Sequence, residues 1–267
     1  MTTIDDVCQF LEAFAPARLA EDWDNVGLLV GSRRSEVQRI MTCLTLTPSS
    51  VAEAVEQKAD LIVTHHPLPF RPLKRLTDES LPGRLLLALV GAGIAVHSPH
   101  TAFDSAASGI NQRLAEGLNL AGIQPLLPRL GDIDALGSGR YGRCPAPCSL
   151  AEVAAQLCSF LKIDGLHQVG DASQTIRSIA VACGSAGTFL EPARRAGCDL
   201  LVTGETNFHT CLEAEAEGVA LLLPGHYASE RFGVEALANE LAAQFPSATV
   251  WPSQLERDPL CWITQAR

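Results

Sequence analysis

Leu61-Ile-Val-Thr-His-His-Pro-Leu-Pro-Phe70 reads as a buried strand that stops abruptly at two adjacent histidines. The run before them is apolar and β-branched, and prolines at 67 and 69 forbid its continuation. Imidazole is poor core material, because each ring brings a polar nitrogen that needs a partner. Neutral imidazole is also the commonest side-chain metal ligand at physiological pH. Neighbouring strand residues point to opposite faces, so His65 and His66 could serve two different ions. The dipeptide alone is equally compatible with one hydrogen-bonded core histidine beside one solvated histidine. The rest of the chain has to decide.

Outward from this strand, helices and strands alternate. Thr3 caps a helix whose apolar face is Ile4, Val7, Phe10, Leu11 and Phe14. Asp22-Trp-Asp-Asn-Val-Gly-Leu-Leu-Val-Gly31 reads as a loop entering a strand. Residues 40–46 form a second strand and 48–58 a helix opened by Pro48. Residues 81–90 are helical, glycines 91 and 93 end that helix, and 94–97 form a fourth strand. His100-Thr-Ala-Phe-Asp104 follows as a loop, then a helix over about 107–116. This alternation predicts an α/β fold of βαβ units on a mainly parallel sheet.

The second half repeats the order. Residues 149–161 match the first capped helix, and strand 179–183 matches 40–44. Cys198-Asp-Leu-Leu-Val-Thr-Gly-Glu205 mirrors Ala59-Asp-Leu-Ile-Val-Thr-His-His66 position for position. Gly218-Val-Ala-Leu-Leu-Leu-Pro-Gly-His-Tyr-Ala-Ser-Glu230 mirrors Gly93-Ile-Ala-Val-His-Ser-Pro-His-Thr-Ala-Phe-Asp104 with one added residue. Coincidence could explain any single match, but four in one order point to duplication. Two similar α/β lobes are expected, 1–128 and 129–267, with the C-terminal segment packing back on the first. Loops at the carboxyl ends of such strands carry ligand-binding groups. Here they carry His65 and His66, His100 and Asp104, Glu205, and His226 with Glu230, in a cleft between the lobes.

Bulk properties narrow the function. With 267 residues, 47% hydrophobic and 19% charged, the chain can build a sizeable core. A net charge of −10 argues against a nucleic-acid surface built on bulk electrostatics, although a local basic patch stays open. The first residues lack a secretory signal and no apolar run is long enough to span a membrane, so a cytoplasmic protein is expected. Nine cysteines without a framework spacing read as reduced, mostly buried thiols. Gly137-Ser-Gly-Arg-Tyr-Gly142 fits a dinucleotide-binding pattern, but Cys144-Pro-Ala-Pro follows where a helix should open. Cys183-Gly-Ser-Ala-Gly187 reads as a tight turn, or as backbone amides for an anion.

His226-x-x-x-Glu230 places both side chains on one face of a helix. With His65, His66 and Asp104 it makes five nitrogen and oxygen ligands at strand ends. That set suits two divalent ions such as zinc, manganese or iron and leaves room for water. His100, His97 and His209 are second choices: one could orient a ligand, and His97 reads as a satisfied core residue inside a strand. Glu205 and His209 stand where the second lobe repeats the histidine pair, which makes them proton-transfer candidates.

Trp23-Asp-Asn-Val-Gly-Leu-Leu-Val-Gly31, Thr64-His-His-Pro67, His100-Thr-Ala-Phe-Asp104 and Pro224-Gly-His-Tyr-Ala-Ser-Glu230 resemble the YbgI-like, or Nif-three-like, family. Its members are often described as GTP cyclohydrolase I type 2 homologues. The resemblance spans nearly the whole chain and implies a dinuclear centre. His66 and Asp104 would hold one ion, His65 and His226 the other, and Glu230 would bridge them. It also implies a toroidal homohexamer with the metal sites facing an internal cavity. The chain departs from the family at Ala102, where Asn is usual, and at Glu205 and Phe208, where Asp and His are usual. These departures spare the five ligands but fall on the surrounding acid–base groups. Together these readings predict a metal-dependent hydrolase acting on a nucleotide-like or phosphorylated heterocyclic substrate. The alternative is a non-catalytic metal-binding scaffold or regulatory interaction protein.

Overall fold

A computed structural model describes residues 1–132, 134 and 136–261. Its strands are β1 Gly27–Val30, β2 Arg39–Cys43, β3 Leu61–Thr64, β4 Ala95–Ser98, β5 Ala121–Gln124, β6 Leu127–Pro128, β7 Gly137–Ser138, β8 Arg140–Ser149, β9 His167–Val169, β10 Thr175–Ser185, β11 Leu200–Glu205, β12 Ala220–Leu223 and β13 Thr249–Pro252. Its α-helices are α1 Ile4–Phe14, α2 Pro48–Glu56, α3 Leu81–Gly91, α4 His100–Ser105, α5 Ile110–Gly117, α6 Leu150–Leu161, α7 Leu190–Arg195, α8 Phe208–Glu217 and α9 His226–Gln244. No helix among the described residues is long and apolar enough to cross a membrane. Capping boxes start α1 and α6: Thr3 pairs reciprocally with Asp6, and Ser149 with Glu152. Each such cap stabilises its helix by about 1 kcal/mol.

The fold is mixed α/β, built on two large sheets. The first runs β1-β4-β3-β2-β13 and the second β5-β8-β10-β11-β12-β9. In the first, β4, β3, β2 and β13 are parallel and β1 lies antiparallel on β4. In the second, β10, β11 and β12 are parallel and β9 lies antiparallel on β12. The order β1-β4-β3-β2 thus recurs as β9-β12-β11-β10. Thr64 pairs with Cys43 and Thr203 with Ala182, each on the third strand of its set. Both hydroxyls donate at 3.3 Å to a carbonyl at the carboxyl end of the neighbouring strand, Thr64 to Leu44 just past β2 and Thr203 to Gly184 near the end of β10. We propose that this recurrence reflects an internal duplication divided near 128/129, with β5 already on the second sheet and β13 returned to the first.

α9 joins the two sheets. Its buried residues, among them Gly233, Val234, Leu237, Ala238 and Leu241, surround the helix rather than forming one stripe, as expected of a helix enclosed on several sides. Leu237 and Leu241 share a core with Val7 and Leu11 of α1, Ile40 of β2, Phe103 of α4 and Cys183 of β10. A Cβ on Gly233 would meet Ile110 Cγ1 of α5 at 2.7 Å, so glycine permits that close crossing.

Several expectations need correction. The second sheet is parallel only at its centre, because β8 runs antiparallel to β10 and β5 antiparallel to β8. β8 was hidden by Pro145 and Pro147, which lie where its register against β10 shifts between Ile176 and Ser178; prolines are tolerated at such irregularities. His100–Ser105 is a short helix, not a loop. Four cysteines (8, 43, 183 and 198) are buried, four are half-buried and Cys261 is exposed, so burial is less general than expected. His97 is buried, but its Nδ1 has no hydrogen-bond partner among the described residues. Burial lowers its pKa to about 4, so it packs as neutral imidazole.

Candidate metal centre

β3 delivers both histidines on a firmly held backbone. His65 N and His66 N donate to Cys43 O and Leu44 O at 3.0 and 2.8 Å, extending the ladder past Thr64. Ser98 Oγ donates to His65 O at 2.6 Å. His65 is 1% exposed, yet neither ring nitrogen has a hydrogen-bond partner among the described residues. His66 Nδ1 lies 2.7 Å from Thr45 Oγ1, which leaves Nε2 facing the cleft. Thr45 is fixed in turn: the amides of Leu44 and Thr45 donate to the buried Glu256 carboxylate at 2.8 and 2.6 Å.

α4, at the carboxyl end of β4, supplies His100 and Asp104. Asp104 Oδ1 is 3.6 Å from His65 Nε2 and accepts from Cys183 Sγ at 3.1 Å. His100 sits at φ 26°, a conformation uncommon outside glycine. Asp24 holds it there, with Oδ1 2.7 Å from His100 Nδ1, and also accepts from the Thr101 amide at 3.1 Å and the Thr101 hydroxyl. Burial alone would raise the Asp24 pKa, but the bonds from His100 and Thr101 hold it at about 2. Sequence reasoning assigned Asp24 no role. The available signal was a carboxylate without an assigned partner inside the Trp23–Gly31 stretch.

The first turns of α9 complete the cluster. Glu230 Oε2 lies 3.1 Å from both His66 Nε2 and His226 Nε2, and those two nitrogens are 3.3 Å apart. Glu230 Oε1 lies 3.8 Å from His65 Nε2. His226 Nδ1 faces Glu205 Oε1 at 2.9 Å. Two glycines make room for this helix. A Cβ on Gly184, whose φ is +66°, would lie 2.3 Å from Glu230 Oε1. A Cβ on Gly204 would meet Ser229 Oγ at 2.5 Å, which explains why the counterpart of His65 in the second half has no side chain.

The charges are strongly coupled. Burial would depress the His65 pKa, but Asp104 and Glu230 outweigh it and raise it. At His66 burial prevails and the pKa falls. His226 is raised to about 9 chiefly by the Glu230 carboxylate 3.1 Å away, against burial and with help from Glu205. Burial pushes Asp104 up, whereas Glu230 is held well below the usual glutamate range, against burial, by His65, His226 and His66. Burial, then Asp104 and Glu230, pushes the Cys183 thiol well up, so it donates as a thiol.

These donors fit divalent ions. His66, His226 and Glu230 form one group, and His65, His66 and His100 another, with ligand atoms within 4.8 Å of one another in each. A buried carboxylate oxygen and both nitrogens of a buried imidazole without hydrogen bonds would be costly unless a cation engaged them. Beside the group lies a cleft of ≈540 Å³ lined by His66, His100, Asp104, His226 and Glu230, with Trp23 and Phe70 on its wall. All five sequence-predicted ligands therefore converge on one place. Glu205 joins them through His226. His209 does not: it is exposed, and its described contact is the neighbouring Phe208 ring.

The geometry can be set against known proteins. The Duf34/NIF3 (NGG1p interacting factor 3) family matches residues 2–259. A Clostridium acetobutylicum protein named GTP cyclohydrolase 1 type 2 homolog is 33% identical over 238 residues, covering 89% of either chain. The Drosophila melanogaster NIF3-like protein 1 is 35% identical over 263 residues, covering 96% of this chain and 88% of its own. Among solved structures, a hypothetical protein of Staphylococcus aureus superposes with a TM-score of 0.88 at 26% identity, covering 98% of this chain and 99% of its own. A match over nearly the whole length, together with relatives above 30% identity, makes this chain a member of the Duf34/NIF3 family.

Proposed function

We propose that this protein is a dinuclear metal-dependent hydrolase acting on a nucleotide-like or phosphorylated heterocyclic substrate. The observation that carries this reading is the buried His65 imidazole and Glu230 oxygen, without hydrogen-bond partners among the described residues, at the wall of an open cleft. By distance, His66, His226 and Glu230 Oε2 form one ligand set. His65, Asp104 and Glu230 Oε1 form the other. This reading shares Glu230 between the ions, and it groups His66 with His226 where the family resemblance implies His66 with Asp104. When bound, two zinc, manganese or iron ions would supply Lewis acidity that lowers the pKa of a coordinated water and polarises a substrate oxygen.

The chain's own groups orient and carry protons. Glu205 at Nδ1 fixes the ring of His226 with Nε2 inward, and Thr45 does the same for His66. Asp24 holds His100 at Nδ1, leaving Nε2 to take or deliver a proton at the cleft. The name of the Clostridium relative supports a nucleotide-like substrate. The family description as an interacting factor favours the alternative, a metal-binding scaffold or regulatory interaction protein.

The test is a metal-reconstituted screen against nucleotides, phosphoesters and cyclic amides, run beside Glu230→Gln. Turnover that survives both chelation and Glu230→Gln would overturn the hydrolase. We also propose a cytoplasmic homohexamer; light scattering that shows only monomer at micromolar concentration would exclude the hexamer.

A further inference from the structure

Two large aromatic side chains stand exposed at the mouth of the cleft, Trp23 at 63% and Phe70 at 51%. Their rings are 5.9 Å apart, and each flanks His100, at 6.0 and 6.1 Å. The two loops that carry them are tied together, because Asn25 Nδ2 donates to Pro69 O at 2.9 Å. The pair is therefore positioned before any ligand arrives, directly outside the proposed ligand groups. Phe70 is followed at once by Arg71-Pro-Leu-Lys-Arg75, every residue of which is exposed. Arg71, Lys74 and Arg75 engage no partner among the described residues. Asp78 and Glu79 close the segment. The segment thus gathers three cations within five residues on a chain of net charge −10.

We propose that Trp23, Phe70 and the 71–75 segment form an aromatic–cationic subsite that admits a phosphorylated planar heterocycle ring first. The ring stacks on Trp23 and Phe70 against His100, and the phosphates trail outward over Arg71, Lys74 and Arg75. Aromatic faces hold heterocycles by stacking and dispersion, while exposed cations attract phosphates through a screened field. This orientation rests on the hydrolase reading for its consequence: the bond brought to the metal groups belongs to the ring, not to the phosphates. The alternative occupant of an exposed aromatic pair is a second copy of the chain, which the test separates.

Equilibrium dialysis of the metal-loaded protein with a purine nucleoside, its mono- and triphosphate, and inorganic triphosphate tests the subsite without turnover. Affinity should rise from nucleoside to triphosphate, and inorganic triphosphate should bind more weakly than the nucleoside triphosphate. Trp23→Ala or Phe70→Ala should weaken every ring-bearing ligand roughly tenfold and spare inorganic triphosphate. Replacing Arg71, Lys74 and Arg75 together by Gln should weaken the triphosphate and spare the nucleoside, and should flatten the salt dependence. Metal content and assembly size should not change in either set. Inorganic triphosphate binding as tightly as the nucleoside triphosphate would overturn the ring-first orientation. So would Trp23→Ala that breaks the assembly while leaving ligand affinity intact. Unaltered ligand binding in a preparation shown to lack hydrolytic activity would refute the hydrolase and leave the subsite standing.

Discussion

Glu230 provides the sharpest test of the centre, because one carboxylate reaches both ligand sets. Its Oε2 is 3.1 Å from His66 and His226, and its Oε1 is 3.8 Å from His65. It is 3% exposed, so water cannot replace its charge. Unit charges 4 Å apart interact by about 4 kcal/mol at an effective dielectric of 20, and two dications by roughly four times as much. A shared carboxylate is the group that offsets this repulsion. Removing one partner of a buried charge pair costs about 3–5 kcal/mol, equivalent to roughly two to four orders of magnitude in affinity. Glu230→Gln keeps the shape and removes the charge; Glu230→Ala removes both and should be more severe. Metal content per chain, by elemental analysis after gel filtration in metal-free buffer, should fall for both ions together, while His65→Ala lowers one ion more than the other. Two tightly held ions per chain in Glu230→Ala would show that Glu230 is not the shared ligand.

The double variant His66→Ala/His226→Ala discriminates the two ligand partitions. One ion should remain if these residues share a site, as the 3.3 Å between their nitrogens suggests, and both should be lost if they serve different ions. Gly184→Ala should lower metal content while the circular-dichroism spectrum stays native, because its Cβ would lie 2.3 Å from Glu230 Oε1; full metal content would mean that the carboxylate can move away at little cost. Asp24, held at about 2, lies below the ordinary aspartate value, so its contribution is present above about pH 4 and is lost as pH falls toward 2. In chelator-treated protein, Asp24→Asn should therefore lower urea stability at neutral pH by up to ~2 kcal/mol, with the difference vanishing near pH 2; equal stability of the two proteins at neutral pH would refute this.

How much was legible in the sequence depends on the range of the interaction involved. Strands such as 61–64 and helices such as 4–14 and 150–161 follow from local apolar periodicity and their own caps, so their positions were readable. The five ligands were readable as well, since each lies at a strand end or on a helix turn whose spacing sets its direction. β8 was not, because its prolines oppose a strand and only the register shift against β10 accommodates them. Asp24 was not, because its partners His100 and Thr101 lie more than seventy residues away. Which histidines stand nearest one another was not readable either. That closeness arises where α9 crosses between the sheets, over glycines 184 and 204, and brings His226 to His66. Local periodicity determined the elements and the donor types, and only long-range packing decided the partners.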